Sequence, residues 1–318
     1  MPNRWRRRAT LPNAILAWAA LTGAALLAVG CTSSSAADQP GTDGKIIAVG
    51  AENEYADVVA QVGGKYVQAS AIMSNPNTDP HTFEASASTG RLVNAARLVV
   101  QNGLGYDTFM DTIEKAVPDS GRRVIVVQKL LGLPDSTPNP HLWYDPATMP
   151  KVADAIADNL AAIQPSHAAY FKANAKTFAN SLAPWINAIG TFKQHYPGTP
   201  VATTEPVADY LLQALGADNK TPWAFQADVM NGTDPSAQDV AIERNLFTEH
   251  KVKAFVYNQQ VTDSLTESFI SLARANHIPV VGVYETMPEP GYHYQSWMLA
   301  EVRALQKAVT SGVSSEHL

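Results

Sequence analysis

Two histidines in the chain directly follow a proline, each inside a run rich in Asn, Asp and Pro. His81 lies in N-P-N-T-D-P-H-T-F-E, Asn75 to Glu84, and His141 in P-N-P-H-L-W-Y-D-P, Pro138 to Pro146. Imidazole at neutral pH can move a proton or hold a metal ion. The preceding proline fixes one backbone torsion and removes a donor, so each loop has less entropy to lose when an ion arrives. Asp79 and Asn139, just before those prolines, can form Asx-turns and suit an imidazole N–H as partner. Two carboxylates occupy comparable places. Glu205 follows P-V-A-T-T and precedes Pro206; Glu285 follows I-P-V-V-G-V. Two imidazoles and two carboxylates make an N2O2 donor set suited to a divalent transition metal. Taken singly, an X-Pro-His is a turn and a Glu is a surface or helix-start charge; only the constellation argues for a metal. The other histidines have ordinary places at helix starts, last helical turns or the tail (His167, His195, His250, His277 and His317). His293 is a rival fourth ligand, and Glu289 is a second carboxylate near Glu285.

The elements that must position these groups alternate. Strand-like runs cover Lys45 to Gly50, Tyr66 to Met73, Arg97 to Gln101, Arg123 to Val127, Pro200 to Thr204, Lys253 to Asn258 and Ile278 to Val283. Helical spacing covers Glu54 to Val62, Ser86 to Ala96, Tyr106 to Ala116, Met149 to Ile163, Val207 to Leu215, Pro235 to His250, Thr262 to Asn276 and Tyr292 to Thr310. Such alternation predicts parallel sheets with right-handed crossovers. Between His167 and Tyr196, Phe171, Phe178, Leu182, Trp185, Ile189 and Phe192 form one apolar stripe at helical intervals. Pro184 should kink or split that helix, and Pro197-Gly198 ends it. The fold class is therefore α/β: two lobes, each with a central, mainly parallel sheet and flanking helices, joined by one long rigid helix. The expected boundaries are 45–165 for the first lobe, 166–196 for the linking helix and 197–318 for the second. Open α/β sheets bind ligands at the carboxyl ends of their strands. Facing lobes would bring His81 and His141 from one side and Glu205 and Glu285 from the other into one cleft, walled by Trp143, Tyr144 and Tyr284.

Several chemistries lack support. No G-x-G-x-x-G follows a strand, and G-x-x-x-x-G-K-[ST], H-E-x-x-H and G-x-S-x-G are absent. The chain is not expected to be an enzyme. At the N-terminus, Arg4, Arg6, Arg7 and Arg8 precede an apolar run, Ala14 to Val29, that ends at Cys31, the sole cysteine. This run is shorter than the roughly 20 residues of a membrane span and reads as a secretory signal, residues 1–31. L-A-V-G-C resembles the bacterial lipobox, with Ala28 where Leu is preferred, which implies lipidation of Cys31 and anchoring at the cell membrane. Residues 32–44 are small and polar and read as a flexible tether. Loss of four arginines with the signal lowers the formal charge from −6 to −10. An acidic domain argues against nucleic acid and anionic membrane surfaces and suits cations.

These stretches together resemble the solute-binding lipoproteins of metal-uptake ABC transporters, the zinc/manganese family. The similarity is carried by A-E-N-E-Y-A-D-V-V-A-Q-V-G-G (Ala51 to Gly64), S-N-P-N-T-D-P-H-T-F-E (Ser74 to Glu84), V-V-Q-N-G-L-G-Y-D (Val99 to Asp107), N-P-H-L-W-Y-D-P (Asn139 to Pro146), T-E-P-V-A-D-Y-L (Thr204 to Leu211) and V-Y-E-T-M-P (Val283 to Pro288). The resemblance implies one divalent metal between the lobes. His81 and His141 match the two family histidines. Glu205 stands where zinc binders often have His and several manganese binders have Glu, and Glu285 matches the final Asp or Glu. It also implies a monomeric extracytoplasmic lipoprotein that hands its metal to a cognate ABC permease with a cytoplasmic ATPase. The harder donor set leans slightly to manganese, with zinc close behind and iron(II) admitted. The alternatives are an extracellular metalloenzyme, which needs an open position for water, and a metal-binding adhesin.

Overall fold

The structure is a computed structural model, and it describes residues 44–75, 83, 86–119, 121–288 and 290–318. The signal, Cys31, most of the tether, His81 and Glu289 lie outside the described residues. The first half of the chain runs β1 (Ile46–Glu52), α1 (Asn53–Gly63), β2 (Val67–Met73), α2 (Ala87–Ala95), β3 (Leu98–Gln101), α3 (Thr108–Ala116), β4 (Arg123–Val126), α4 (Val127–Leu130) and α5 (Thr148–Ile163). Two helices follow, α6 (Ala168–Ser181) and α7 (Ala183–His195). The second half runs β5 (Pro200–Thr203), α8 (Asp209–Leu215), β6 (Asp218–Asn219), α9 (Trp223–Met230), α10 (Ala237–Thr248), β7 (Ala254–Asn258), α11 (Ser264–Ala275), β8 (Val280–Val283) and α12 (Tyr294–Ser311).

Each half builds a four-stranded, all-parallel sheet, ordered β2-β1-β3-β4 and β6-β5-β7-β8. Strands β1, β3, β5, β7 and β8 are short, apolar and largely buried, as crossover helices on both sides require, whereas β2, β4 and β6 at the sheet edges are partly exposed. In both sheets the chain leaves the first strand toward one edge and returns to its other side. The gap between β1 and β3, and its counterpart between β5 and β7, are therefore topological switch points, where such sheets open a crevice at their carboxyl ends.

The expected long connecting helix is two helices in line. Leu182 turns the chain with φ −76° and ψ −10°, and its N–H reaches back only three residues, to the Ala179 carbonyl at 3.3 Å. Pro184 has no N–H to continue the ladder, so it sits in the first turn of α7, where none is needed. Helical bonding resumes at once, with the Ile186 N–H on the Leu182 carbonyl at 3.0 Å. The apolar stripe survives the joint: Phe171, Phe178, Leu182, Trp185, Ile189 and Phe192 are all buried. α6 packs on α1 and α5, and α7 on α8 and α12.

One cluster of buried side chains runs through both halves, from Ile46 and Val100 through Trp143 and Trp185 to Trp297 and Leu305. Separate clusters fill the outer sides: Phe225, Phe247, Phe255 and Phe269 in the second half, and Val49, Val99 and Met110 in the first. Among the described residues, no helix is long and apolar enough to cross a membrane.

Candidate metal centre

The carboxyl ends of the two sheets face each other across a set of polar side chains that are almost entirely out of water. His141 and Glu285 are fully buried, Glu205 is 3% exposed and Asn258 is 1% exposed. Burial of such groups is costly unless they are paired, so their hydrogen bonds define the centre.

His141 sits in the loop between α4 and α5, and Asn139 orients it. The Asn139 side-chain oxygen accepts the His141 backbone N–H at 3.0 Å and lies 2.7 Å from ring Nδ1. The amide group of Asn139 is turned the other way and donates to the Pro206 carbonyl at 2.8 Å. That fixes which end is oxygen, so Nδ1 must carry the proton and the Nε2 lone pair faces the opposite lobe. Nε2 lies 3.4 Å from Oε2 of Glu285. Tyr106 and Trp143 hold the ring edge-on, with centroids 5.8 and 5.4 Å away. Asn102, at the end of β3, donates to the Pro140 carbonyl at 2.8 Å and accepts from the Tyr55 hydroxyl at 2.7 Å, anchoring the loop from below.

Glu285 follows β8. Its backbone N–H and that of Thr286 both donate to the side-chain oxygen of Gln260, at 2.5 and 2.8 Å. Its Oε2 accepts the Tyr106 hydroxyl at 3.0 Å, a bond from one lobe to the other. Tyr106 reaches that position because the chain turns sharply just before it. Gly103, Leu104 and Gly105 have φ of 84°, 57° and 77°, and Leu104 pays the cost of a side chain in the left-handed region, about 1 kcal/mol. Asp107 locks the turn by accepting the backbone N–H groups of Asn102 and Gly103 at 2.5 and 2.9 Å. Burial pushes its carboxyl up to about 6 despite those bonds.

Glu205 lies just past β5. It joins through Asn258 at the end of β7, whose amide nitrogen donates to Oε1 of Glu205 at 3.2 Å and to Oε1 of Glu285 at 2.5 Å. Glu205 and Asn258 thus flank the switch point of the second sheet. Among the described residues, no three His, Cys, Asp or Glu side chains stand together closely enough to hold a metal ion; His141 and Glu285 form one pair, with Glu205 one amide away. His293 is elsewhere. Its side chain is 70% exposed and pairs with Asp57 at 2.7 Å, next to the N-terminus of α12, so it does not compete for the centre.

Sequence reasoning overlooked Asn258, Tyr106 and Gln260, along with two carboxyls, Glu52 and Glu54. The last two flank Asn53 at the β1–α1 junction, are fully buried and have no side-chain hydrogen-bond partner among the described residues. Their acidity is strongly suppressed, first by burial. Repulsion from Asp107 and Glu285 adds to this for both, and at Glu52 so does repulsion from Glu54. Asn53 between them clasps the second lobe: its amide donates to the Met287 carbonyl at 2.7 Å and its oxygen accepts the Met287 N–H at 2.9 Å. A polar residue at a strand end would have signalled Asn258; at Glu52 and Glu54 the burial itself was not predictable from composition.

The arrangement can do one thing well. It gathers several carboxyl groups and one oriented imidazole in a cleft almost entirely out of water, which favours a cation. Comparison with known proteins agrees. The profile of zinc-uptake complex component A, periplasmic (ZnuA) matches residues 49–308. The manganese-binding lipoprotein MntA of Bacillus subtilis (strain 168) is 23% identical over 273 residues, covering 83% of this chain and 87% of that protein. Among solved structures, the periplasmic zinc binding protein TroA from Treponema pallidum superposes with a TM-score of 0.71 at 19% identity, covering 85% of this chain and 100% of that one. A manganese-bound periplasmic metal binding protein from Candidatus Liberibacter asiaticus gives 0.69 at 18% identity, covering 83% and 100%. With a family match across most of its length and the two-lobed fold of those structures, the chain belongs to the ZnuA family of periplasmic metal-uptake binding proteins, components of uptake complexes and not enzymes.

Proposed function

We propose that this protein captures a divalent transition metal outside the cytoplasm and delivers it to an ABC permease, remaining tethered to the membrane through a lipid on Cys31. The ligands in this reading are His81, His141, Glu205 and Glu285. The observation that carries it is the approach of His141 Nε2 to Glu285 Oε2, 3.4 Å across the lobes, with the imidazole already in the tautomer that presents a lone pair. An ion entering between them would be held by the imidazole nitrogen and the carboxylate oxygen, while Asn139 keeps its N–H partner throughout. Manganese is favoured slightly, with zinc close behind. The carboxylate at position 205 and the manganese-binding relative support the first, while the general preference of N/O sites for zinc opposes it.

The test is equilibrium metal analysis of the purified chain. The expected result is one tightly held transition-metal ion per chain, lost in His81→Ala and weakened in Glu205→Ala. Absence of any transition metal at micromolar concentration in the unmodified chain would sink the reading.

A further inference from the structure

We infer that the open edge of the first sheet is a docking groove for an extended, basic segment of the membrane permease, added beside β4 as a further strand. The inference rests on the delivery reading above and assigns it a contact surface.

The two halves of the molecule treat one position differently. β4 and β8 are topological equivalents: each is the last strand of its sheet, lies at an edge and has four residues. The free side of β8 is covered by the chain itself. Ser315 pairs with Val281 in parallel; its N–H donates to the Val280 carbonyl at 2.9 Å and its carbonyl accepts the Gly282 N–H at 3.0 Å. Short edge strands are one way to avoid unwanted pairing, yet the equally short β8 is paired. Beside β4 no segment among the described residues does the same, and a groove of about 1070 Å³ runs there instead. Arg123 turns its N–H to the Arg97 carbonyl, on the β3 side, at 3.0 Å. The direction of these groups alternates along a strand, so Val124 and Val126 present theirs to the groove. Val124 is 40% exposed.

The walls of the groove define its occupant. The first sheet lies between two layers, with Met110 of α3 packed near Val99 on one face and Ile156 of α5 near Ile125 on the other. The α3 wall is acidic: it carries Asp111 and Glu114, beside Gln101 at the end of β3. Gln101 is 4% exposed, and among the described residues its Oε1 and Oε1 of Glu114 are buried acceptors without a donor. Arg122 attracts Glu114 but donates to the Val117 carbonyl at 3.0 Å instead. The other wall offers Ala155 and Leu130, and Lys129 is the one cation among the described lining residues. Two buried acceptors beside carboxylates call for an ammonium or guanidinium. An extended segment sends alternate side chains to opposite faces. The occupant therefore alternates Lys or Arg, toward α3, with small apolar residues, toward Ala155 and Leu130. A second copy of this chain would set one acidic wall against another, which disfavours it. The groove also reaches Gly103, Leu104 and Gly105, the turn that delivers Tyr106 to Glu285, so its occupant lies next to the metal centre.

The experiment has two arms, both on the metal-loaded chain. In the first, a fluorescent peptide of alternating Lys and Val is titrated in, and amide exchange is followed at Val124 and Val126. Peptides with Glu in place of Lys, or Pro in place of Val, are the controls. The Lys-Val peptide is expected to bind and to slow exchange at both amides, and the controls are not. Its affinity should fall about tenfold or more in the double variant Asp111→Lys, Glu114→Lys. In the second arm, the chain with a photo-crosslinking residue at position 124 is added to proteoliposomes holding the cognate permease and its ATPase. A cross-link to the permease is expected, with delivery about tenfold slower in the double variant at unchanged metal affinity. Unprotected Val124 and Val126 amides overturn the groove, a result read on the unmodified chain that needs no variant to fold. Protection with no cross-link to the permease, or a cross-link to a second copy, overturns the permease as occupant. So does undiminished delivery by the double variant. If the unmodified chain holds no metal or passes none to the permease, the delivery reading fails and the permease assignment falls with it, while the peptide arm still decides whether the edge accepts a strand.

Discussion

His141 is useful to a cation in only one tautomer, and one neighbour decides which. Asn139 can accept the Nδ1 proton because its own amide is committed to Pro206 in the other lobe. Asn139→Ala removes that control and one lobe-to-lobe bond while leaving every ligand in place. Metal affinity should fall about tenfold to a hundredfold, the usual loss when an imidazole's outer partner is removed, and competition titration measures it. A second residue-scale prediction concerns Glu243 on α10. Burial pushes its carboxyl up to about 8, with the Thr221 hydroxyl the one bond that opposes this. The folded chain keeps a proton that the unfolded chain releases near pH 4.5. Stability from this group is therefore complete below that pH, declines as pH rises, and stops declining above about 8. Glu243→Gln keeps the acceptor oxygen and removes the titration. It should stabilise the fold by on the order of 2–4 kcal/mol at pH 8.5, at about 1.4 kcal/mol per pH unit discounted for relaxation, and by little at pH 4.5. Urea midpoints at the two pH values check it.

The elements bring these residues together by ending in the right place. β5, β7 and β8 each stop within two residues of Glu205, Asn258 or Glu285, while on the first lobe β1 stops at the Glu52–Asn53–Glu54 junction. Asn53 is the clasp at that junction. Asn53→Ala loses both bonds to Met287 and leaves a buried carbonyl and a buried N–H without their partner, a cost of about 1–3 kcal/mol. A lowered denaturant midpoint with an unchanged m-value is the expected signature. Much of this layout was legible in the sequence, because short apolar runs alternating with periodic helices leave few topologies. Glu205 and Glu285 were recognisable as strand-end carboxylates and Asn139 as a partner for the ring. The joint at Pro184 was legible as well. Other elements were not. β6 has two residues, too few for any pattern. Trp223–Met230 spreads its apolar side chains around the helix and leaves Trp223 itself 43% exposed, so it shows no stripe. Asn258 closes a strand with a residue type that usually begins a turn, and its role depends on two glutamates 53 and 27 positions away. Only the fold supplies that proximity.

At the scale of the whole molecule, the two sheets are separate but the core is not. The same buried cluster joins Val100 of the first sheet to Val256 of the second through Trp143, Trp185 and Trp297. The lobes are also cross-linked by polar contacts besides those of the centre. Tyr294 donates to the Trp143 carbonyl at 2.6 Å, the Tyr144 hydroxyl donates to the Tyr284 carbonyl at 2.8 Å, and Gln61 and Gln295 exchange amide bonds at 3.0 and 2.9 Å. Two lobes that met only at a ligand would melt separately, and metal would merge their transitions. A shared core requires the opposite: one transition with or without metal, in which tryptophan fluorescence and far-UV circular dichroism coincide. Bound metal should move that single transition upward without changing its shape. At free metal a thousandfold above Kd the gain is about 4 kcal/mol, on the order of 8 °C for a chain of this length, and a chelator should reverse it. Calorimetry of the metal-free chain decides the matter, because two resolved peaks would mean that the lobes fold independently and that the buried cluster does not couple them.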